Sequence, residues 1–387
     1  LKQAITELEQ AQEAELEAQR QSAQLQQALD HAQRVSLANQ SHAAVNQLDL
    51  NEAQTRQRLI DAEIHSRGWN IDLIKGQNTE EVSREDVVDG QPTSTGIGYV
   101  DYVLWGADGK PIAVIEAKRT RESAKKGQKQ AELYADALER KYGQRPVIFY
   151  TNGHEYYLLD DAQGYIPRKL YGMYSKDSVQ YLIRQRTSRQ PLSGVPIDTA
   201  IAGRNYQIEA ITRICENYEL KRRKALVVQA TGTGKTRVSI ALSKRMLEAG
   251  WAKRILFLCD RKELRKQAAK AYNEFLSESL YVVGRSKKSD KHNARIYIST
   301  YPGMMGIMEE FDPGYFDLII ADESHRSIYN VYGDLFKYFD AMQLGLTATP
   351  VEMISRSTSK LFGCDYKLAT ANYPLDQAVE DGNLVPF

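Results

Sequence analysis

The chain has 387 residues, of which 42% are hydrophobic and 26% charged, enough for two or three domains with apolar cores. This balance excludes collagen-like, disordered and disulfide-scaffold proteins. The sequence has no apolar run of the roughly 18 residues that a membrane helix needs. Its three cysteines lie far apart without a CxxC pair, so we expect a reducing cytoplasm and neither disulfides nor a thiolate zinc site. The formal net charge is only +1, so it gives no evidence for or against nucleic-acid binding. Only local clusters of charged residues can indicate such binding.

Residues 1–48 are rich in Ala, Gln, Glu and Leu and contain neither Gly nor Pro. Leucines and Ile5 recur at helical spacings, which predicts one long helix. Polar residues interrupt the apolar stripe, so a coiled coil and a single helix packed on another domain both stay open. The opening Leu in place of Met suggests that further sequence precedes it.

The rest of the chain divides into two predicted α/β domains. A helix ending near Gly68, followed by strands separated by turn residues, predicts a mixed-sheet domain over residues 49–188. Residues 189–203 hold two prolines and two glycines and predict a linker. In residues 204–387, apolar strands alternate with helical stretches, the pattern of a parallel sheet covered on both faces. These strands are ALVVQ, RILFLC, ARIYIST, FDLIIAD and AMQLGLTAT.

A phosphate-binding loop is predicted at Gln229-Ala-Thr-Gly-Thr-Gly-Lys-Thr236, between a strand and a helix. Its glycines let backbone N–H groups face phosphates, and the helix N-terminus favours negative charge. Lys235 would reach the β and γ phosphates of ATP, and Thr236 would bind Mg²⁺. Gln229 stands where the common motif has Gly. The predicted nucleotide-binding residues of the loop are Thr231, Gly232, Thr233, Gly234, Lys235 and Thr236.

Asp322-Glu-Ser-His325 follows the apolar strand that ends at Ala321, at the edge where a parallel sheet presents its ligands. Asp322 can hold the magnesium ion, and Glu323 can polarise the water that attacks the γ-phosphate. A solvated turn is the alternative for an isolated Asp-Glu pair, but the preceding phosphate loop favours the functional interpretation.

These motifs resemble helicase superfamily 2, whose second motif is DExH-like and whose third is Ser/Thr-Ala-Thr, here Thr347-Ala-Thr349. The resemblance covers residues 204–387, with weaker likeness at residues 259–267 and 299–301, where it implies DNA contacts. It implies a first RecA-like lobe and nucleotide contacts at Arg204, Gln207, His325, Thr347 and Thr349. Helix capping or solvation is the alternative for Gln207. Because no arginine finger of a second lobe follows Thr349, we expect weak ATP binding and little turnover by this chain alone.

A second candidate site lies between Gly98 and Lys118, which predict two strands joined by a turn at Asp108-Gly109. If these are the two loop residues, Asp101 lies opposite Glu116 on the neighbouring strand. Facing carboxylates repel each other unless a divalent metal binds between them. Glu116 and Lys118 leave the same face of the strand, so both could reach a metal-bound water. An exposed edge strand with a salt bridge is the alternative interpretation.

Asp101…Glu116-Ala-Lys118 resembles the core of PD-(D/E)xK nucleases, and VIEAKRT is similar to the restriction subunits of type I restriction enzymes. The resemblance implies catalytic roles for Gln130 and Tyr134 in a Gln-x-x-x-Tyr element. It also implies an extra acid, for which Glu63 is the prediction and Glu52 and Asp61 are competitors. The cluster of basic residues that follows favours DNA over a solvated helix face: Arg119, Arg121, Lys125, Lys126, Lys129, Arg140 and Lys141.

The order of nuclease, linker and motor resembles the type I restriction subunit. The resemblance implies ATP-dependent translocation on double-stranded DNA, Mg²⁺-dependent cleavage, and association with modification (methyltransferase) and specificity subunits. A DNA-repair helicase-nuclease and a type III restriction subunit stay open as enzymes, although in type III subunits the nuclease normally follows the motor. A non-catalytic DNA clamp is the alternative of another class, and the intact motif residues argue against it.

Overall fold

The computed structural model describes residues 59–119, 122–322, 326–349, 356–365 and 368–385. The long helix predicted over residues 1–48 lies outside these ranges. Within them, none of the helices is both long enough and apolar enough to cross a membrane.

The first half of the described chain forms a six-stranded sheet in the order β1-β2-β3-β4-β5-β6. Only β3 and β4 run parallel; the other neighbours are antiparallel. The β3–β4 crossover contains helix α2, as a parallel connection requires. The elements are α1 (Asp61–Ser66), β1 (Val82–Asp89), β2 (Ile97–Trp105), β3 (Pro111–Ala117), α2 (Gln128–Tyr142), β4 (Val147–Thr151), β5 (Tyr156–Leu159), β6 (Arg168–Leu170) and α3 (Lys176–Ser188).

Strand β3 is the centre of this sheet, and all seven of its residues are buried. Helix α2 packs on one face of the sheet through Ala131, Tyr134 and Leu138, which recur at helical spacing. Helices α1 and α3 contribute to the apolar core on the opposite face. The sheet is therefore covered on both sides, which explains why β3 and β4 are continuous apolar runs.

The β2–β3 pairing has the register predicted from the sequence, with Tyr102 opposite Ile115 and Leu104 opposite Ala113. The turn itself is longer than the two-residue loop assumed in that prediction. The strands end at Trp105 and begin again at Pro111, and the Gly106 N–H donates to the Lys110 carbonyl at 2.9 Å. The strand pairing shifts register between Leu104 and Trp105, which accommodates the longer turn. The residue pairs further from the turn therefore keep the predicted register.

The second sheet is parallel and seven-stranded, in the order β13-β7-β12-β11-β8-β10-β9. All five predicted strands are present, and β9 and β13 add one short strand at each edge. The strands are β7 (Lys224–Gln229), β8 (Ile255–Cys259), β9 (Leu280–Val282), β10 (Ile296–Thr300), β11 (Leu318–Asp322), β12 (Met342–Thr347) and β13 (Ala371–Tyr373). The helices are α4 (Asn205–Glu219), α5 (Lys235–Glu248), α6 (Lys262–Phe275), α7 (Tyr301–Met305), α8 (Arg326–Tyr338), α9 (Arg356–Leu361) and α10 (Leu375–Glu380).

Residues 189–203, predicted as a linker, are packed against the parallel sheet rather than extended. Leu192, Ile201 and Ala202 are buried in the same core as helices α4 and α5. The Leu192 carbonyl accepts a hydrogen bond from Arg245 Nε at 2.7 Å. The prolines and glycines therefore permit an irregular backbone, but the apolar residues between them fix its position.

A buried ionic joint, formed by Arg168, Tyr174, Arg223 and Asp340, connects the two sheets. The Asp340 carboxylate accepts hydrogen bonds from Arg168 Nε at 2.9 Å and from the Tyr174 hydroxyl at 2.6 Å, and Arg223 Nη2 lies 2.9 Å from it. Burial opposes ionisation of Asp340, but the two guanidinium groups outweigh it and hold the pKa of this carboxyl below its usual value. Arg223 is the residue before β7, and Asp340 lies two residues before β12, so the joint lies at the N-terminal edge of the parallel sheet.

Candidate nuclease and nucleotide sites

Two carboxylates lie side by side on β2 and β3. Asp101 and Glu116 are only 7% and 2% exposed, and Asp101 Oδ2 accepts the Ala117 N–H at 2.7 Å. This bond joins the Asp101 side chain to the residue that follows Glu116. The placement agrees with the sequence prediction that the two acids face each other across the hairpin.

A chain of hydrogen bonds runs from Glu116 onto helix α2. Lys118 Nζ donates to Glu116 Oε1 at 2.6 Å and to Gln130 Oε1 at 2.9 Å, and Gln130 Nε2 donates to the Tyr134 hydroxyl at 2.6 Å. Gln130 and Tyr134 are four residues apart, which places both on one face of the helix. Burial raises the pKa of Tyr134 above its usual value, and the charges of Glu116 and Asp101 raise it further. The structure thus connects the predicted motif of Asp101, Glu116 and Lys118 with the predicted helical element of Gln130 and Tyr134.

The donor set of this site suits a hard divalent cation. Magnesium is commonly held by one or two carboxylates, with water and substrate oxygens completing its octahedron. Asp101 and Glu116 provide that number, and an ion between them would relieve the repulsion of two buried charges. In the part of the chain that the structure describes, no group of three or more His, Cys, Asp and Glu residues could hold a metal ion. A magnesium site here therefore depends on two protein ligands.

Glu63, predicted as the extra acid, is engaged elsewhere. Its carboxylate forms an ion pair with Arg67 at 2.8 Å and accepts the Met173 N–H at 2.9 Å. The competing Asp61 accepts a hydrogen bond from Tyr102 at 2.7 Å and pairs with Arg84. The bonds found for Glu63 are structural, and its catalytic role stays a prediction. Glu52 lies outside the described residues.

Basic side chains surround the start of helix α2. Arg119, Lys125, Lys126 and Lys129 are exposed, whereas Arg121 lies outside the described residues. Lys126 and Lys129 make only solvent-exposed ion pairs, with Glu122 at 3.4 Å and Glu132 at 3.3 Å. Exposed pairs of this kind contribute little stability, so a phosphate backbone can compete for these lysines. The two remaining basic residues of the predicted cluster, Arg140 and Lys141, are exposed at the other end of α2, about 20 Å away at 1.5 Å per residue.

The phosphate-binding loop connects β7 to α5 as predicted. Gly232 and Gly234 both have φ of +87°, a conformation that favours glycine. A Cβ on Gly234 would lie 2.7 Å from Gln207 Nε2, so a side chain at this position would displace the Gln207 amide. Lys235 Nζ donates to the Gln229 carbonyl at 3.2 Å, which folds the lysine back over the loop. Thr236 is half-buried at the start of α5.

Two residues of helix α4 hold the phosphate loop from behind. The Gln207 amide and the Tyr206 hydroxyl both donate to the Thr233 carbonyl, at 3.0 and 2.8 Å. Gln207 Oε1 also accepts the Arg204 N–H at 3.3 Å, which is the capping role considered as an alternative. Tyr206 stacks on Tyr373 with ring centroids 3.9 Å apart. Neither tyrosine was predicted from the sequence, because their stacking depends on strand β13 lying beside β7.

The predicted nucleotide residues converge at the C-terminal edge of the parallel sheet. Asp322 ends β11 and Thr347 ends β12, which separates β11 from the strand of the phosphate loop. Two strand spacings, about 10 Å, leave room for a phosphate and a metal ion. Thr347 Oγ1 accepts the Thr349 N–H at 3.1 Å. Beside the loop is a cleft of about 460 Å³ lined by Thr199, Ile201, Gly203, Arg204, Gln207, Gly232, Thr233, Gly234 and Arg237. Glu323 and His325 lie outside the described residues.

The segments predicted to contact DNA differ in exposure. Arg261 and Lys262 are exposed at the beginning of α6 and lie at the same edge as the nucleotide residues. Ser299 and Tyr301 are fully buried, and the Tyr301 hydroxyl donates to the Asp322 carbonyl at 2.9 Å. These two residues therefore lie within the fold, where Tyr301 contacts the strand that carries Asp322.

Two family profiles match the chain. The profile of the type III restriction enzyme res subunit matches residues 200–352, and that of the type I restriction enzyme R protein N terminus matches residues 92–165. The first match covers six of the seven strands of the parallel sheet and the phosphate loop, and the second covers Asp101, Glu116, Lys118, Gln130 and Tyr134. Both profiles carry the names of restriction-enzyme subunits, and the two matches lie on the two sheets that hold the candidate sites.

Individual proteins that are similar to this chain come from type I restriction enzymes. The type I restriction enzyme EcoAI endonuclease subunit of Escherichia coli is 29% identical over 375 residues, 89% of this chain and 44% of its own length. The EcoKI endonuclease subunit of E. coli K12 is 24% identical, with 87% and 35% covered. A solved fragment assigned as an HsdR subunit from Vibrio vulnificus YJ016 has 25% identity and a TM-score of 0.39, with 87% and 61% covered. The chain is similar to the endonuclease subunits of type I restriction enzymes, and it spans less than half the length of these two curated relatives.

Proposed function

We propose that this chain carries the nuclease and the first motor lobe of a type I restriction subunit, which moves along double-stranded DNA with ATP and cuts both strands with Mg²⁺. The observation that carries the proposal is the hydrogen-bonded chain Glu116–Lys118–Gln130–Tyr134 beside Asp101, in one polypeptide with a complete phosphate loop. The proposed partners are double-stranded DNA and the modification and specificity subunits. We place the protein in the cytoplasm, because all three cysteines are free thiols.

In the nuclease site, Asp101 and Glu116 would hold the magnesium ion. Bound there, the ion would lower the pKa of a water molecule and stabilise charge on the phosphodiester. Lys118 would orient that water or neutralise the developing charge, because its ammonium group is already fixed between Glu116 and Gln130. Gln130 and Tyr134 would keep the lysine in place from helix α2.

In the motor site, Lys235 would leave the Gln229 carbonyl and contact the β and γ phosphates of ATP. Thr236 and Asp322 would bind the magnesium ion that accompanies ATP, and Glu323 would polarise the attacking water. Arg204 and Gln207 line the cleft beside the loop, where the adenine would bind.

The nuclease assignment is tested by Asp101→Ala, Glu116→Ala and Lys118→Ala. Each should abolish cleavage of supercoiled plasmid in a complex assembled with modification and specificity subunits, while ATP hydrolysis and translocation continue. Lys110→Ala, which changes an exposed lysine in the β2–β3 turn, is the matched control and should cut normally. Wild-type cleavage by a folded Glu116→Ala subunit would refute the metal site.

The motor assignment is tested by Lys235→Ala and Asp322→Ala in the same complex. Both should abolish ATP hydrolysis and the displacement of a DNA triplex, since each removes a charge that acts on bound Mg-ATP. Lys270→Ala, an exposed change on helix α6, is the control. Undiminished hydrolysis by a folded Lys235→Ala protein would show that ATP binds elsewhere.

A type III restriction subunit is the second candidate, because the profile matching residues 200–352 carries that name. The match at residues 92–165 supports type I, because it carries the name of the type I R protein N terminus and precedes the match at residues 200–352. Cleavage in the presence of a type III modification subunit, but not with type I partners, would reverse this choice.

A further inference from the structure

A glycine outside the predicted motifs lies close to the side chains of Glu116 and Lys118. Gly127 ends the 3₁₀ helix Ala124–Gly127, directly before helix α2, and is buried. Its φ and ψ are −77° and −16°, a right-handed helical conformation open to any residue. A Cβ at this position would lie 2.9 Å from Glu116 Cγ and 3.4 Å from Lys118 Cε. Space beside these side chains, and not backbone conformation, is therefore what requires a glycine here.

The backbone around Gly127 has little freedom to withdraw. The Asn152 side-chain amide donates to the Glu122 carbonyl at 2.8 Å, and the Lys118 N–H donates to the Thr151 carbonyl at 2.8 Å. Ala124, in the same 3₁₀ helix, is fully buried against the sheet. The segment that leads into α2 is thus attached to the end of β4, and an added methyl group would have to be accommodated by the site itself.

We propose that Gly127 is a positioning residue of the nuclease: its missing side chain lets the start of α2 close onto Glu116 and Lys118. This close approach holds Gln130 within 2.9 Å of Lys118 Nζ and forms one wall of the buried Glu116 carboxylate. The inference rests on the proposed nuclease function and adds a residue to it. A methyl group at position 127 would push Glu116 aside or lift Gln130 from the lysine.

The experiment compares Gly127→Ala with Gly194→Ala, a glycine with nothing within 4 Å of its Cβ position. Displacing a reacting group by even 1 Å can cost about 100-fold in rate, so plasmid cleavage by Gly127→Ala should fall between 10-fold and 100-fold. Binding of Mn²⁺ to the nucleotide-free chain, followed by electron paramagnetic resonance, should weaken at least several-fold. Gly194→Ala should match the wild type in both measurements.

A melting experiment separates the contact from a general effect on folding. Gly127→Ala should lower the melting temperature of the wild-type chain but lower it less in a Glu116→Ala background, where Cγ is absent. An equal loss in both backgrounds, or wild-type Mn²⁺ binding and cleavage by Gly127→Ala, would overturn the inference. If the wild-type chain itself neither binds Mn²⁺ nor cleaves DNA in the complex, the proposed function fails instead.

Discussion

Replacing Asp340 with alanine removes the shared carboxylate of the ionic joint between the two sheets. The side chains of Asp340, Arg168 and Arg223 are only 11%, 14% and 21% exposed. Asp340→Ala would leave two guanidinium groups and the Tyr174 hydroxyl without this partner in a poorly hydrated interface. Removing one member of a buried ion pair costs about 3–5 kcal/mol. Because the joint retains some access to water, we expect about 3 kcal/mol.

The measurement is urea unfolding of the 387-residue chain, followed by circular dichroism, at pH 7. Glu209→Ala is the matched control, because Glu209 pairs with Arg213 at 2.6 Å but both side chains are more than half exposed. Such an exposed pair should contribute about 0.5 kcal/mol or less. The folded-state pKa of Asp340 lies below its unfolded value, so its stabilisation is present above the unfolded pKa and is lost as the pH falls through the folded one.

A double-mutant cycle tests whether the cost comes from the joint itself. Arg168→Ala and Asp340→Ala remove the two ends of one contact, so their combined cost should fall short of the sum by about 1 kcal/mol or more. The reasoning would be refuted if Asp340→Ala unfolded at the same urea concentration as Glu209→Ala. Strict additivity of the two alanine substitutions would also contradict it.

Three further outcomes follow from buried groups. Burial raises the pKa of Asp317 from 3.8 to about 6, so this carboxyl favours the folded state below about pH 4 and ceases to do so as the pH rises through 6. Asp317→Asn should therefore raise the free energy of unfolding at pH 8 by up to about 3 kcal/mol and leave it unchanged at pH 4. An increase of the same size at both pH values would contradict the raised pKa of Asp317. Gly345→Ala should destabilise the chain by about 1–3 kcal/mol in urea, because its Cβ would lie 2.8 Å from Phe362; a neutral result would show that the core can move. Iodoacetamide at pH 8 should label the half-buried Cys364 first, because Cys215 and Cys259 are buried and have pKa values of about 11 and about 12. Equal labelling of all three cysteines in the native chain would contradict the burial of Cys215 and Cys259.

The sequence predicted those parts of the molecule that depend on neighbouring residues. Apolar runs identified the five main strands of the parallel sheet, since a strand covered on both faces must be apolar throughout. The β2–β3 register followed from a turn dipeptide, even though the turn proved longer. The two-residue spacing of Glu116 and Lys118 predicted a shared face, and the 2.6 Å bond between them agrees with it. In each case the signal lies within about 20 residues of chain.

The features that could not be predicted depend on contacts between residues that are far apart in the sequence. Arg168 and Asp340 are 172 positions apart and have no local pattern that would mark either as buried. A charged residue in a polar stretch is usually solvated, and burial becomes favourable only when folding supplies a counter-charge and hydrogen bonds together. Gly127 presents the same difficulty: its backbone conformation is ordinary, so only the position of Glu116 on another element explains it. The role of Gly127 follows from the narrow space between the start of α2 and strand β3. A sequence motif lists residue types, so it contains no information about that space.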